Sequence, residues 1–197
     1  MLTSAPPLCG LVLAGGESRR MGRDKSRLPW QGQEQRLRCA ELLSEFCTGV
    51  FVSLRTPETL QPYTVLTDLH PGIGPMAGLL SAFAQQPAAA WLLLACDLPL
   101  VGREAVQLLV DQRDPAALAT CFCHQDGRLE PLAAIWEPAA APLLEDARAA
   151  GHYGLQALLL AGRVERVPVP FTEWLLNANT PAEWDLACLL AGKPELK

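Results

Sequence analysis

The sequence predicts an α/β fold built on a mainly parallel sheet, and three observations carry that prediction. Short apolar runs alternate along the chain with stretches of helical period, the order expected when helices cross between parallel strands. The runs at 8–14 and 91–95 have the length and composition of strands buried on both faces. Residue types suited to ligand chemistry, Gly15-Gly16 and Asp97, follow directly after those two runs. The carboxyl edge of an open α/β sheet is where such folds bind ligands.

The first strand, 8–14, ends in Gly15-Gly16. Two adjacent glycines can take positive φ and let a ligand approach the backbone. Arg19, Arg20, Arg23 and Lys25 follow, with a third glycine at Gly22. Successive amides in such a turn form an anion-binding nest, and nearby cations add charge, so the stretch suits a triphosphate. Glycine pairs also occur in turns that bind nothing. Asp24, not glycine, precedes Lys25-Ser26, which excludes the Walker pattern. The spacing of Gly15, Gly16 and Gly22 excludes the dinucleotide fingerprint.

Helical spacing over 33–46 is followed by a second strand at 49–54 and a short third strand at 63–66 that runs into Thr67-Asp68. Three glycines and a proline within 72–78 make a shaped loop, and a helix follows over about 76–86. The run at 91–95 is the most apolar and is expected at the centre of the sheet. It leads into Cys96-Asp97-Leu98-Pro99, in which Asp97 reads either as a helix cap or as a ligand for a hard cation. A helix at 102–113, a strand at 118–123, a turn at Asp126-Gly127 and a strand at 130–136 come next. Helices at 139–150 and 155–161 and a strand at 164–169 follow. Thr180, Pro181 and Glu183 form a capping box that opens the last helix, which leaves Asn177 and Asn179 unexplained by local structure. Trp30, Trp174 and Trp184 read as packing, and the end of the chain, 192–197, as frayed.

With 197 residues, half of them hydrophobic, the chain is expected to form one domain over 1–197. A net charge of −5 argues against general nucleic-acid binding. No apolar stretch has the length of a membrane span, and residues 1–7 lack the features of a signal peptide, so the cytoplasm is the expected compartment. Seven scattered cysteines without a Cys-x-x-Cys pair read as buried small hydrophobes. Cys121 and Cys123 are expected on one side of a strand. His70, His124 and His152 do not cluster in sequence.

Leu13-Ala14-Gly15-Gly16-x-Ser18-x-Arg20-Met21-Gly22-x-Asp24-Lys25 resembles the signature loop of the molybdenum cofactor guanylyltransferases, the MobA-type proteins. Gly74-Pro75-Met76-Ala77-Gly78 resembles their guanine-recognition segment, and Cys96-Asp97-Leu98-Pro99 their magnesium-binding motif. Asn177-x-Asn179-Thr180-Pro181-x-Glu183 resembles their C-terminal motif, and the segment from Pro131 to Trp136 is also similar, with Trp136 either bordering the pterin or in the core. The resemblance implies a three-layer α/β/α Rossmann-like fold with a mainly parallel mixed central sheet, of the nucleotide-diphospho-sugar transferase type. It implies transfer of GMP from GTP to molybdopterin-bound cofactor with release of pyrophosphate. Arg20, Lys25 and Asp97 are then the catalytic residues, with Mg²⁺ on Asp97. Leu13, Ala14, Gly15, Gly16, Ser53, Asp68, Gly74 and Gly78 join Lys25 and Asp97 around the nucleotide, and Asn177 and Asn179 contact the other substrate. Ser53 stands where some close members carry asparagine, and the region 152–158 differs from better-known members. GTP and the molybdopterin cofactor are the implied partners, with molybdopterin-delivering and molybdoenzyme client proteins beyond them. A cytidylyltransferase acting on the same cofactor, a non-catalytic GTP- or cofactor-binding module and a sugar-phosphate nucleotidyltransferase are the alternatives.

Overall fold

The computed structural model describes residues 5–15 and 25–192. The candidate residues Gly16 and Arg20, with Arg19, Gly22, Arg23 and Asp24 of the same stretch, lie outside the described residues, as do 1–4 and 193–197. The chain runs through β1 (Leu8–Leu13), the small strands β2 (Pro29–Trp30) and β3 (Gln33–Glu34), α1 (Gln35–Ser44), β4 (Val50–Leu54) and β5 (Thr64–Thr67). It continues through α2 (Pro75–Gln85), β6 (Ala90–Ala95), α3 (Arg103–Asp111), β7 (Ala119–Cys123) and β8 (Leu129–Trp136). Helices α4 (Ala140–Ala149) and α5 (Leu155–Ala161), strand β9 (Val164–Pro168) and helix α6 (Pro181–Ala191) complete it.

Seven strands form one sheet in the order β5-β4-β1-β6-β8-β7-β9. Strand β6 is central, as its composition predicts, and all six of its residues are buried. Strands β5, β4, β1 and β6 are parallel, and β7 is parallel to β9. Strand β8 runs antiparallel to both neighbours because the Asp126-Gly127 turn folds it back on β7. Gly127 takes φ +84° there, and the Asp126 carboxylate accepts the Arg128 N–H at 3.0 Å.

Alternation along the buried strands separates two cores. Val12, Leu92 and Leu94 meet Ala40, Leu43, Val106 and Leu109 of α1 and α3 on one face. Leu11, Trp91 and Leu93 meet Met76, Leu79 and Phe83 of α2 and Leu144 and Leu159 of α4 and α5 on the other. This is the three-layer α/β/α arrangement. Cys121 is fully buried, and Cys123 packs on the same core. Trp136 is fully buried and donates its Nε1–H to the Pro131 carbonyl at 3.2 Å, so it is a core residue rather than a border of the ligand site.

Three short elements depart from the sequence pattern. The expected helix 33–46 starts later, because Gln33 and Glu34 pair back on Pro29 and Trp30 around Gln31 and Gly32, both with positive φ. Tyr63 is bridged to Leu60 and precedes β5 instead of opening it. Thr172–Leu175 forms a 3-10 turn that seats Trp174 near Phe122 and Phe171. Among the described residues no helix is long and apolar enough to cross a membrane.

Arg113 and Glu137 form a buried ionic lock. Glu137 is fully buried and accepts from Arg113 Nε at 2.7 Å and Nη2 at 3.0 Å, and the same Nη2 donates to the Pro6 carbonyl at 2.9 Å. Arg113→Met would strand a buried carboxylate and is expected to destabilise the protein by about 3–5 kcal/mol in urea unfolding. Arg113→Met combined with Glu137→Met should recover most of that loss; a double variant as unstable as the single one would contradict an ionic origin.

Candidate functional site

The parallel register brings the ends of three strands to one level. Leu13 lies beside Ser53 on β4 and beside Ala95 on β6. Where the chain leaves these strands, a cavity of about 810 Å³ opens. Leu13, Ala14 and Gly15 form part of its wall, Ser53, Asp68, Gly74 and Gly78 lie around it, and Lys25 and Asp97 reach it from other segments. Every described candidate for the nucleotide therefore borders one cavity.

Backbone groups at the centre are committed to the frame. The Ala14 N–H donates to the Ser53 carbonyl at 3.0 Å, and the Leu13 carbonyl accepts from Cys96 N–H at 3.2 Å. Arg55 donates through Nε to the Gly15 carbonyl. Gly78 on α2 is needed for a different reason. A Cβ there would lie 2.5 Å from Leu13 Cδ2 and 2.8 Å from Ser53 Oγ, so only glycine lets α2 sit this close to the strand ends. Gly74 caps α2 with φ +66°, a left-handed conformation that favours glycine. Ser53 donates to Asp68 Oδ1 at 2.9 Å. Burial pushes the Asp68 carboxyl above its ordinary range, against the Ser53 hydrogen bond and the Arg55 charge.

At the opposite end, Lys25 approaches Asp97 Oδ2 at 4.0 Å and donates to Asn179 Oδ1, and Asn179 Nδ2 donates to Asn177 Oδ1 at 2.5 Å. The Ala178 N–H donates to the Asp97 backbone carbonyl at 2.8 Å. The capping box forms as expected, and Glu183 Oε2 accepts from the N–H of both Thr180 and Asn179 at 2.8 Å. Both asparagines thus join Lys25 and Asp97 from the far end of the chain. Burial raises the Asp97 carboxyl above its ordinary range, opposed by Lys25, and its Oδ1 is buried without a hydrogen-bond partner. A bare carboxylate oxygen beside a cavity suits a hard cation. Among the described residues no three His, Cys, Asp or Glu side chains gather into a metal cage, so a cation here would complete its shell with ligand oxygens and water.

Sequence reasoning missed several neighbours. Arg55, Thr67, Ser26 and Leu132 also line the cavity. Arg55 follows β4, whose pairing with β1 brings it beside Gly15, and that pairing is not written in the local sequence. Glu130 accepts the Leu132 N–H at 2.9 Å and approaches His124 Nε2 at 3.8 Å. Burial raises its carboxyl, opposed by the Leu132 N–H, and the charge of Asp97 raises it further. Glu58 joins Arg36 (2.9 and 3.0 Å) to Arg27 (2.8 Å), which ties the turn after Lys25 to α1.

A family model described as the MobA-like NTP transferase domain matches residues 10–167. A molybdenum cofactor biosynthesis bifunctional protein of Synechocystis sp. is 37% identical over 186 residues, which cover 92% of this chain and 54% of that protein. The chain therefore spans about half the length of that relative. A Synechococcus elongatus protein named "Probable molybdenum cofactor guanylyltransferase" is 32% identical over 188 residues, 88% of this chain and 94% of that protein. The crystal structure of molybdopterin-guanine dinucleotide biosynthesis protein A from Archaeoglobus fulgidus superposes with a TM-score of 0.77 at 24% identity, covering 93% of this chain and 98% of that one. The 2-C-methyl-D-erythritol 4-phosphate cytidylyltransferase of Thermus thermophilus superposes with a TM-score of 0.67 at 15% identity, covering 92% and 97%. At these identities the two structures show a shared fold.

The close approach at Gly78 is testable by the sign of one substitution. In a helix, alanine is favoured over glycine by roughly 0.5–1 kcal/mol. Overpacking against Leu13 and Ser53 would instead cost about 1–3 kcal/mol. Gly78→Ala is expected to lower the melting temperature, with partial recovery when Leu13→Val removes the branch it meets. A stabilised Gly78→Ala variant would contradict the packing.

Proposed function

This chain belongs to the MobA-like NTP transferase family, and from that premise we propose that it transfers GMP from GTP to molybdopterin-bound molybdenum cofactor, forming the guanine dinucleotide cofactor and releasing pyrophosphate. The observation that carries this reading is the meeting of Lys25 and Asp97, with Asn179 hydrogen-bonded to the lysine, at one end of a cavity whose other end holds Ser53, Asp68, Gly74 and Gly78. We read the second end as the guanosine side and the first as the phosphate side. The names of the cyanobacterial relatives support GTP and the molybdenum cofactor as substrates. In this reading 1–197 acts as one nucleotidyltransferase domain, working in the cytoplasm and serving molybdopterin-delivering and molybdoenzyme client proteins.

In the reaction, a phosphate oxygen of the acceptor attacks the α-phosphorus of GTP, and pyrophosphate leaves in line. No protein nucleophile is needed, because positioning and charge stabilisation supply most of the catalysis. Lys25 neutralises phosphate charge and is oriented by Asn179. Arg20 is assigned the same task from its place in the motif. Leu13, Ala14, Gly15 and Gly16 bring backbone to the nucleotide, and Asp68, held by Ser53, contacts the nucleoside. Asn177 and Asn179 face the acceptor. Asp97 would hold Mg²⁺, for which its unpartnered Oδ1 is the fitting donor. When bound, the ion supplies Lewis-acid stabilisation of phosphate charge.

Three measurements test the reading. With GTP and CTP side by side and loaded molybdopterin as acceptor, product is expected from GTP; equal or greater use of CTP would transfer the assignment to a cytidylyltransferase. Asp97→Asn should fold with a normal melt and lose at least about a hundredfold in turnover across a Mg²⁺ titration, comparable to losing a strong transition-state electrostatic contact. If Asp97 were only a cap, asparagine would replace it almost without cost. Lys25→Ala should weaken GTP and GDP far more than guanosine, and equal weakening of all three would refute a phosphate role.

A further inference from the structure

A row of residues crosses four strands at the ligand edge of the sheet. Leu13 on β1 is level with Ser53 on β4 and with Ala95 on β6. The antiparallel ladder of β6 and β8 pairs Leu94 with Ala133, so the next step brings Leu132 to the level of Ala95. Ser53, Leu13, Ala95 and Leu132 all line the cavity. Neighbouring strands lie about 4.8 Å apart, which places Leu132 roughly 14 Å along the row from Ser53. One end of the row is the Ser53–Asp68 pair, and the other is apolar.

Strand β8 breaks its pairing with β7 at this place. Cys121 pairs with Ala134 and the next residue, Phe122, pairs with Glu130, so Pro131, Leu132 and Ala133 form a bulge on β8. Pro131 has no N–H to leave unpaired. Glu130 Oε1 accepts the Leu132 N–H at 2.9 Å, and the Trp136 indole donates to the Pro131 carbonyl at 3.2 Å. Two side chains thus brace the bulge, one of them fully buried in the core. Bulges beside ligand sites re-aim a side chain. Here the residue that the bulge carries to the cavity is Leu132.

We propose that Leu132 is the seat of the second substrate and that Glu130 is the positioning residue that holds it there. The inference rests on the proposed transfer reaction and adds the ring-binding side of its acceptor. The nucleoside takes the Ser53–Asp68 end of the row, and the phosphates lie at Lys25 and Asp97. An acceptor that joins the α-phosphorus then approaches from beyond Asp97, across Ala95 and Leu132. That acceptor is a phosphate ester of a fused ring system. Its phosphate meets Lys25, and the ring face next to the phosphate rests on the leucine. An apolar contact at a ring face is the same before and during phosphoryl transfer, so it governs KM rather than kcat. Glu130 acts through the Leu132 N–H and not on the substrate.

The test uses the full chain, with GTP and loaded molybdopterin varied in turn and molybdopterin binding followed by equilibrium dialysis. Leu132→Ala should raise the KM for the acceptor about tenfold, the effect of losing most of a leucine contact, and leave kcat and the KM for GTP near their original values. Leu132→Gln keeps the volume and should raise the same KM, which decides the point if the alanine variant fails to fold. Glu130→Ala should act in the same direction, and Glu130→Gln, which retains an oxygen for the Leu132 N–H, should rescue it. Glu130→Ala combined with Leu132→Ala should be no worse than the more affected single variant, because one residue acts through the other. A rise in the KM for GTP instead of the acceptor would overturn the seat, as would an unchanged acceptor KM in a chain that guanylylates the cofactor. Additive losses in the double variant would overturn the positioning role of Glu130. A chain that binds molybdopterin about tenfold more weakly after Leu132→Ala, yet never transfers GMP, would overturn the proposed function and leave this inference standing.

Discussion

The site depends on the register of three buried parallel strands. Leu13 stands level with Ser53 on one side and Ala95 on the other, so the chain leaves β4, β1 and β6 at the same height. From that line Arg55 reaches Gly15, Asp68 on the next strand's exit meets Ser53, and Cys96 leads to Asp97. A slip of one residue would turn Leu92 and Leu94 onto the wrong face and separate these contacts, so the hydrophobic cores that fix the register also fix the chemistry. The helices conform to the same line. Gly78 admits α2 to the strand ends, and at Gly10 an added Cβ would lie 3.0 Å from Leu43 Cβ of α1.

Electrostatics at the Lys25–Asp97 end of the cavity work against folding. At 4.0 Å, Lys25 and Asp97 would attract by about 4 kcal/mol at the effective dielectric near a protein surface. Burying each charge costs several kcal/mol, even after relaxation. The upward direction of the Asp97 carboxyl shows that desolvation outweighs the lysine. Glu130 adds a second buried carboxyl within the field of Asp97. The contrast with Arg113 and Glu137 is instructive, because there two short bonds join the charges and neither belongs to the cavity. A carboxylate left without a partner on one oxygen, in a protein able to build a complete pair elsewhere, is the pattern expected where a ligand supplies the missing contact.

Much of this was legible in the sequence. The apolar runs identify the strands because burial on both faces demands unbroken hydrophobic stretches, and the capping box of Thr180 and Glu183 is a local device. The motifs brought Lys25, Asp97 and Asn179 forward as candidates. The Lys25–Asn179 bond spans 154 residues, and no local pattern encodes it. Strands β2 and β3 are two residues each, too short for any period to register. Arg55 and Glu130 escaped notice because an isolated charge beside a strand reads the same whether it faces solvent or a cavity. The antiparallel course of β8 was half visible, since the Asp126-Gly127 turn requires a hairpin with β7, whereas the pairing of β8 with β6 is decided by packing.

The lysine end of the cavity owes its order to contacts remote from it. Trp30 of the β2–β3 hairpin meets Trp184 of α6 edge to face at 5.3 Å, and both are buried with Ala178 and Ala187 in a small core of their own. That core joins the segment after Lys25 to the segment after Asn179. The Arg27–Glu58–Arg36 bridge holds the same turn from its other side. Lys25 is thus set between two anchors, with its ammonium directed at Asn179 and Asp97. A long flexible side chain loses up to about 2 kcal/mol of rotamer freedom when fixed. Here that loss is met on folding, before any phosphate arrives. Preorganised charge is most effective in transition-state stabilisation because it need not reorganise during reaction. The aromatic pair therefore underlies the position of Lys25, and with it the phosphate role proposed for that lysine.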